Sequence, residues 1–321
     1  MKFKTKAVAI FLAALFSAGV HAQNYPNKPI KIVVGYAPGG AVDLVARTIG
    51  QSMSTSMGQS IIVENKPGGA TNIAVKQVID SPPDGYTVML AANALAANMA
   101  LFKPAPFDAE KQLSTISLIG SVPVVIATRV ESPFNNLGDL LKAAKANPDT
   151  ITYGSPGNGA TPHMALKFFE QAAKISLKHI PYKGGSPAIT DLIGGQLDLV
   201  ALNALEVSTH VKSGRLKVLA VMSAGRSPIF PDVPTIAESG YPGFEASVWY
   251  GLVAPAGTPQ KIIDQLHNEV QKALATKEVK DRLTAVGGEV KPGSQALFKN
   301  LLKSERQRYE KLVREANIKP D

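Results

Sequence analysis

The sequence predicts an α/β chain of two lobes joined by two crossing strands. Short apolar, strand-like runs alternate with helical patterns, the signature of βαβ units with helices over a parallel sheet. The alternation breaks near Pro123 and then restarts. An N-terminal leader, once removed, leaves 299 of the 321 residues, enough for two domains at roughly 150 residues each.

The leader reads as a secretory signal peptide. Lys2, Lys4 and Lys6 precede an apolar run from Ala7 to Val20, and Val20-His21-Ala22 sets the cleavage site after Ala22. The run is shorter than the roughly 20 apolar residues that span a bilayer. The first lobe is expected over 23–122 and 247–321, the second over 123–246, with crossings near Val122–Val125 and Ala246–Gly251.

The elements follow in order. Ile30–Tyr36 reads as a buried strand, ended by Pro38-Gly39-Gly40; Val42, Val45, Ala46, Ile49 and Met53 then mark a helix face. Ser60–Glu64 is a strand, Lys66-Pro67-Gly68-Gly69 a break, Ala70–Ile79 a helix and Tyr86–Ala91 a strand after the Pro82-Pro83-Asp84-Gly85 turn. Ser117–Arg129 reads as two extended pieces around Pro123. Helices are expected over Asn136–Ala146, Thr161–Ala173, Ser186–Gly194 and Leu205–Lys212, and strands over Ile151–Gly154, Leu177–Pro181, Asp198–Leu202 and Leu216–Met222. Arg226–Phe244 is irregular, Ser247–Ala254 a last strand, and Pro259–Thr276, Lys277–Val286 and Ser294–Ala316 are helices; the last shows a stripe of Leu297, Leu301, Leu302, Tyr309 and Leu312.

Composition narrows the function. There is no cysteine, which removes disulfides, thiol catalysis and cysteine-based zinc sites. Loss of Lys2, Lys4 and Lys6 lowers the net charge from +9 to +6. The positive charges are scattered, with few aromatics among them, so nucleic acid is not an expected partner. His163, His179, His210 and His267 show no metal-ligand spacing, so no metal is expected. Gly184-Gly185-Ser186-Pro187-Ala188 resembles a nucleophile elbow. Pro187, however, lacks the N–H that an oxyanion needs, and Ser186 reads as a helix N-cap. The loop Gly154–His163 holds Gly157-x-Gly159, but Pro162 stands at the third glycine position and no acid follows the next strand, so no nicotinamide cofactor is expected.

That loop suits an anion better. Glycines expose backbone N–H groups, and Thr161-Pro162 marks a helix start with its partial positive charge. Pro38-Gly39-Gly40-Ala41 has the same design, so the two loops are expected to face each other and hold an anion from both sides. Asp43 reads as a cap on the first loop.

The segments YPNKPIKIVVGYAPGGAVDLVAR, VENKPGG, PPDGYT, YGSPGNGATPH, IPYKGGSPAITDLIGGQLDL, VKSGRLKVLAV and GLVAPAGTP resemble the Bug family, the periplasmic receptors of tripartite tricarboxylate transporters. The resemblance runs from about Tyr25 to the C-terminus. It implies a Venus-flytrap periplasmic binding protein with no cofactor, no catalysis and a monomeric state. A small carboxylate would be captured by hinge closure and passed to membrane permease subunits. It places ligand contacts at Tyr36, Ala37, Pro38, Gly39, Gly40 and Asp43, and at Ser155, Asn158, Gly159, Ala160, Thr161 and His163. Tyr182–Ala188 borders the same cleft. Asn93-Ala94-Leu95 and Ala201-Leu202-Asn203 stand where relatives carry more polar residues, and Asn93 and Asn203 join the expected site. The loss of polarity there favours a less polar acid, such as an aromatic carboxylate like terephthalate, over an amino acid. The competing expectation is an exported α/β hydrolase acting on a carboxylate or ester, for which His163 is the one base beside the loop.

Overall fold

The computed structural model describes residues 25–285, 288–315 and 318. The signal peptide and its cleavage site after Ala22 lie outside the described residues. In chain order the first elements are β1 (Ile30–Val34), α1 (Ala41–Met57), β2 (Ile61–Asn65), α2 (Asn72–Ile79), β3 (Thr87–Ala91), α3 (Ala94–Leu101), α4 (Ala109–Gln112) and β4 (Leu113–Arg129). Then come α5 (Leu137–Ala146), β5 (Thr152–Ser155), α6 (Thr161–Ala173), β6 (Lys178–Pro181), α7 (Gly185–Ile193), β7 (Leu199–Asn203), α8 (Ala204–Lys212) and β8 (Leu216–Val221). The chain returns through β9 (Ser247–Pro255), α9 (Gln260–Ala275), α10 (Lys277–Thr284), β10 (Glu289–Gly293) and α11 (Gln295–Glu315).

The strands run in the order β2-β1-β3-β9-β4-β7-β5-β6, with β10 and β8 also paired to β4. β1 is parallel to β2 and β3, and β5 is parallel to β6 and β7. Each lobe therefore has the parallel core that the βαβ rhythm requires. On β1, Ile32 and Val34 enter one core with Val45, Ile49 and Met53 of α1, while Val33 enters the other with Val75 and Val78 of α2. Burial on both faces explains why the strand is apolar at every position but Lys31, whose ammonium reaches the edge to pair with Glu64.

The two pieces expected around Pro123 are one continuous strand, β4. Up to Pro123 it pairs with β9; from Val124 onward it pairs with β7 and β8. Pro123, which has no N–H to give a ladder, sits where the partners change. Val124 N–H donates to the Ala246 carbonyl at 3.4 Å, so the returning chain lies beside this crossing.

Several elements depart from the expected pattern, the short α4 among them. α3 was not expected: all eight of its residues are buried, so it has no polar face to reveal a helical period. β10 was not expected either; it is a mostly exposed edge strand without apolar alternation. α7 begins at Gly185, so Ser186 lies inside the helix and Gly184 precedes it. On α11, Leu302 and Tyr309 are buried and Leu301 and Leu312 pack against the same core, but Phe298 takes the inward place expected of Leu297, which points to solvent at 53% exposure.

Candidate functional site

Between the lobes lies an inner cleft of about 430 Å³. The first lobe supplies Gly35, Tyr36, the turn Gly68–Asn72 and Phe102; the second supplies Pro156–Asn158, Ala160 and Pro181–Lys183. Tyr36, Phe102, Tyr182 and the prolines make most of the wall apolar. Lys183 is the one charged side chain among the described residues that line it. Tyr182 Oη donates to Asp191 at 2.6 Å, which fixes its ring at the rim.

The turn Gly68–Asn72 is the most unusual backbone in this cleft. Gly68, Gly69, Ala70 and Thr71 have φ of 118°, 55°, 52° and 74°. Two of them carry side chains, and Thr is β-branched, so the left-handed region costs about 1–2 kcal/mol for each. Several contacts hold the turn. Thr71 packs on Gly35, where a Cβ would come within 2.8 Å of it. Asn98 of α3 donates to the Ala70 carbonyl at 2.6 Å and to Asn72 Oδ1 at 2.8 Å. Strain held by its surroundings, at the head of a helix and in a cleft, is the pattern of a binding site. Lys66–Asn72 has the same strand, glycine turn and helix start as the other two loops; the helix expected from Ala70 begins at Asn72, and Ala70 and Thr71 belong to the turn.

The second-lobe loop is braced from within. Ser155 Oγ accepts from Gly157 N–H at 3.2 Å and lies 2.7 Å from His179 Nε2. His163 stacks on His179 at 4.1 Å between centroids, and its Nδ1 accepts from Gly159 N–H at 3.3 Å. That bond requires the neutral ring. Burial, with His179 and Lys167 nearby, pushes His163 well below the usual imidazole range. Ser155 and His163 are therefore buried braces, while Asn158 and Ala160 line the cleft.

Tyr36 at the start of the first loop lines the inner cleft together with the second loop, but Gly39 and Gly40 do not, so the two glycine turns are not the opposed cradles that were expected. The first loop's partners are Lys183–Gly185 and α8: Ala37 N–H donates to the Lys183 carbonyl at 2.7 Å, and Ala41 N–H donates to Glu206 at 3.1 Å. Gly39 N–H donates to Asp43 Oδ2 at 2.9 Å. Asp43 also accepts from Asn65 and Arg47. Burial pushes the Asp43 carboxyl up, but these hydrogen bonds outweigh it and hold the group below its ordinary value. Asp43 is thus a cap, Pro38 and Gly39 are exposed, and Gly39, Gly40 and Asp43 line a separate outer groove.

Three more expected residues lie away from the inner cleft. Asn93 is 1% exposed; it donates to Glu305 at 2.9 Å and accepts from Trp249 N–H at 2.9 Å, so its amide ties α11 to β9. Asn203 heads α8 and donates to Glu206 at 3.2 Å. Thr161 lines a back pocket of about 330 Å³ with Phe244 and Arg308. Ala94, Leu95, Ala201 and Leu202 are buried at 2% exposure or less, so their apolar character serves packing and carries no information about the ligand. Ser186 occupies the second position of α7 with Pro187 behind it, no place for an oxyanion hole.

The model of the tripartite tricarboxylate transporter family receptor matches residues 45–318. The chain is 34% identical to the solved periplasmic binding protein BugD, with a TM-score of 0.89 over 92% of this chain and 100% of that one. It is 30% identical to Rpa4515 of R. palustris, solved with adipate, at a TM-score of 0.89 over 93% and 100% of the two chains. It is 29% identical to MatC of Rhodopseudomonas palustris, solved with bound malate, at 0.86 over 90% and 100%. A family of receptors, not enzymes, sets aside the hydrolase expectation. The chain belongs to the tripartite tricarboxylate transporter receptors, the Bug-type periplasmic solute-binding proteins.

Proposed function

We propose that the protein captures a small carboxylate with an apolar body in the inner cleft, by closure of the two lobes. Di- and tricarboxylates and aromatic carboxylates are the candidate classes. One observation carries the choice: Lys183 is the single charged side chain among the described residues of a mostly apolar cleft, whose other polar side chains (Thr71, Asn72 and Asn158) are neutral. An acid finds a cation there and no competing carboxylate, while its carbon body meets Phe102, Tyr36 and Tyr182. The strained turn Gly68–Asn72 supplies the facing polar wall. The adipate and malate in Rpa4515 and MatC support an acidic solute.

The hinge in this reading divides 23–122 and 247–321 from 123–246, and the closed monomer delivers its solute to the permease subunits of a tripartite transporter. Export with cleavage after Ala22 places it in the periplasm. A thermal-shift panel of adipate, malate, citrate and terephthalate, with leucinamide as a cationic control, tests the reading. At a hundred times its Kd a bound acid adds about 2.7 kcal/mol, which raises Tm by about 5–10 °C. A panel in which no acid shifts Tm overturns it.

A further inference from the structure

The outer groove, about 660 Å³, lies where the head of α1 meets α7 and α8. Within it the Glu206 carboxylate is held by donors from both lobes. Oε1 accepts from Ala41 N–H of the first lobe at 3.1 Å. Oε2 accepts from Asn203 N–H at 3.3 Å and from Asn203 Nδ2 at 3.2 Å. Gly185, at the head of α7, lies directly against the same carboxylate. The bond to Asn203 N–H is an ordinary capping box of α8; the reach to Ala41 is not, because it joins separate lobes.

Two glycines fit this arrangement by space rather than by backbone angle. Gly40 has φ of −81°, which any residue adopts, yet a Cβ there would come within 3.1 Å of Glu206 Oε1. A Cβ on Gly185 would collide with the same carboxylate. Glycines on both lobes and donors on both lobes thus converge on one carboxylate, and the chain supplies it.

We propose that Glu206 is a specificity-determining residue: it occupies, in place of a solute, the carboxylate position at the head of α1, and so confines the acid group of a solute to the inner cleft. The rim of the groove carries Arg47, Arg215 and Arg282, so an anion from solution reaches this position once Glu206 is gone. This holds whichever solute the inner cleft takes, and its test uses no solute.

The test is formate binding to the full chain, to Glu206→Gly and to Glu206→Gln, by thermal shift at matched ionic strength with chloride as control. Formate is expected to raise Tm of Glu206→Gly by about 2–4 °C, the shift that a ligand at a few times its Kd gives a chain of this size. The parent chain, whose position is filled, and Glu206→Gln, whose amide still fills it, are expected to show no formate-specific shift. An equal response of parent and Glu206→Gly, or no response of Glu206→Gly beyond that of chloride, overturns the proposal. If Glu206→Gly does not fold, Glu206→Ala decides by the same two criteria.

Discussion

The side-chain oxygen of Asn98 lies against the Cα of Gly159, in the space a Cβ would take. Asn98 belongs to α3 in the first lobe and Gly159 to the loop before α6 in the second, so the lobes meet here through a missing side chain. Gly159 also has φ of +72°. Gly159→Ala should therefore carry both backbone strain and a collision, costing about 1–3 kcal/mol of stability in urea unfolding. Its affinity for the acid that ranks first in the panel should fall at least about tenfold, or about 1.4 kcal/mol. Parent-like affinity would show that the lobes need not approach at this point.

Ala70 separates a demand on backbone from a demand on side chain. At φ of 52° and ψ of 40°, glycine is free of strain, alanine tolerates it and valine does not. Ala70→Gly should stay within about 0.5 kcal/mol of the parent, since relief of strain and added chain entropy nearly cancel. Ala70→Val should lose about 1–2 kcal/mol of stability and most of its acid binding. Equal behaviour of the two variants in unfolding and titration would contradict a functional turn.

Most of the fold was legible because each lobe repeats strand, turn and helix with strong apolar periodicity. What escaped lacked that periodicity for a physical reason: α3 is buried all round and β10 is exposed nearly all along. In the site, Tyr36, Asn158 and Ala160 were readable from their glycine loops and do line the inner cleft. The facing of the two loops was not readable, because strand order decides which loops meet and the sequence does not display strand order. Gly68–Asn72 was readable by the rule applied to its neighbours. The engagement of Asn93 with Glu305 was not, since the two stand 212 residues apart in the chain.

Lys183 acts through its charge in the receptor reading, while its carbonyl serves the fold by accepting from Ala37. Lys183→Gln should leave unfolding within about 0.5 kcal/mol of the parent, as an exposed substitution does. It should weaken acid binding at least about tenfold and flatten the salt dependence of Kd. Unchanged affinity in a calorimetric titration would remove the cation from the recognition scheme.

His163 predicts a pH effect. Its folded pKa is lowered from 6.5, so between 6.5 and the folded value the unfolded chain binds a proton that the folded chain does not. Stability is complete above 6.5 and is lost as pH falls below it, at up to about 1.4 kcal/mol per pH unit. His163→Leu should be less stable at about pH 7.5, where it lacks the Gly159 bond, and should show a shallower decline toward about pH 5. Identical slopes for parent and variant would mean that the ring is protonated in place.

The most direct measurement is a crystal structure grown with the acid that shifts Tm furthest. A carboxylate within hydrogen-bond reach of the Gly68–Asn72 turn or of Lys183 Nζ, with Glu206 still bonded to Ala41, is the expected result. An acid lodged at the head of α1 with Glu206 displaced, or seated in the back pocket beside Arg308, would contradict it.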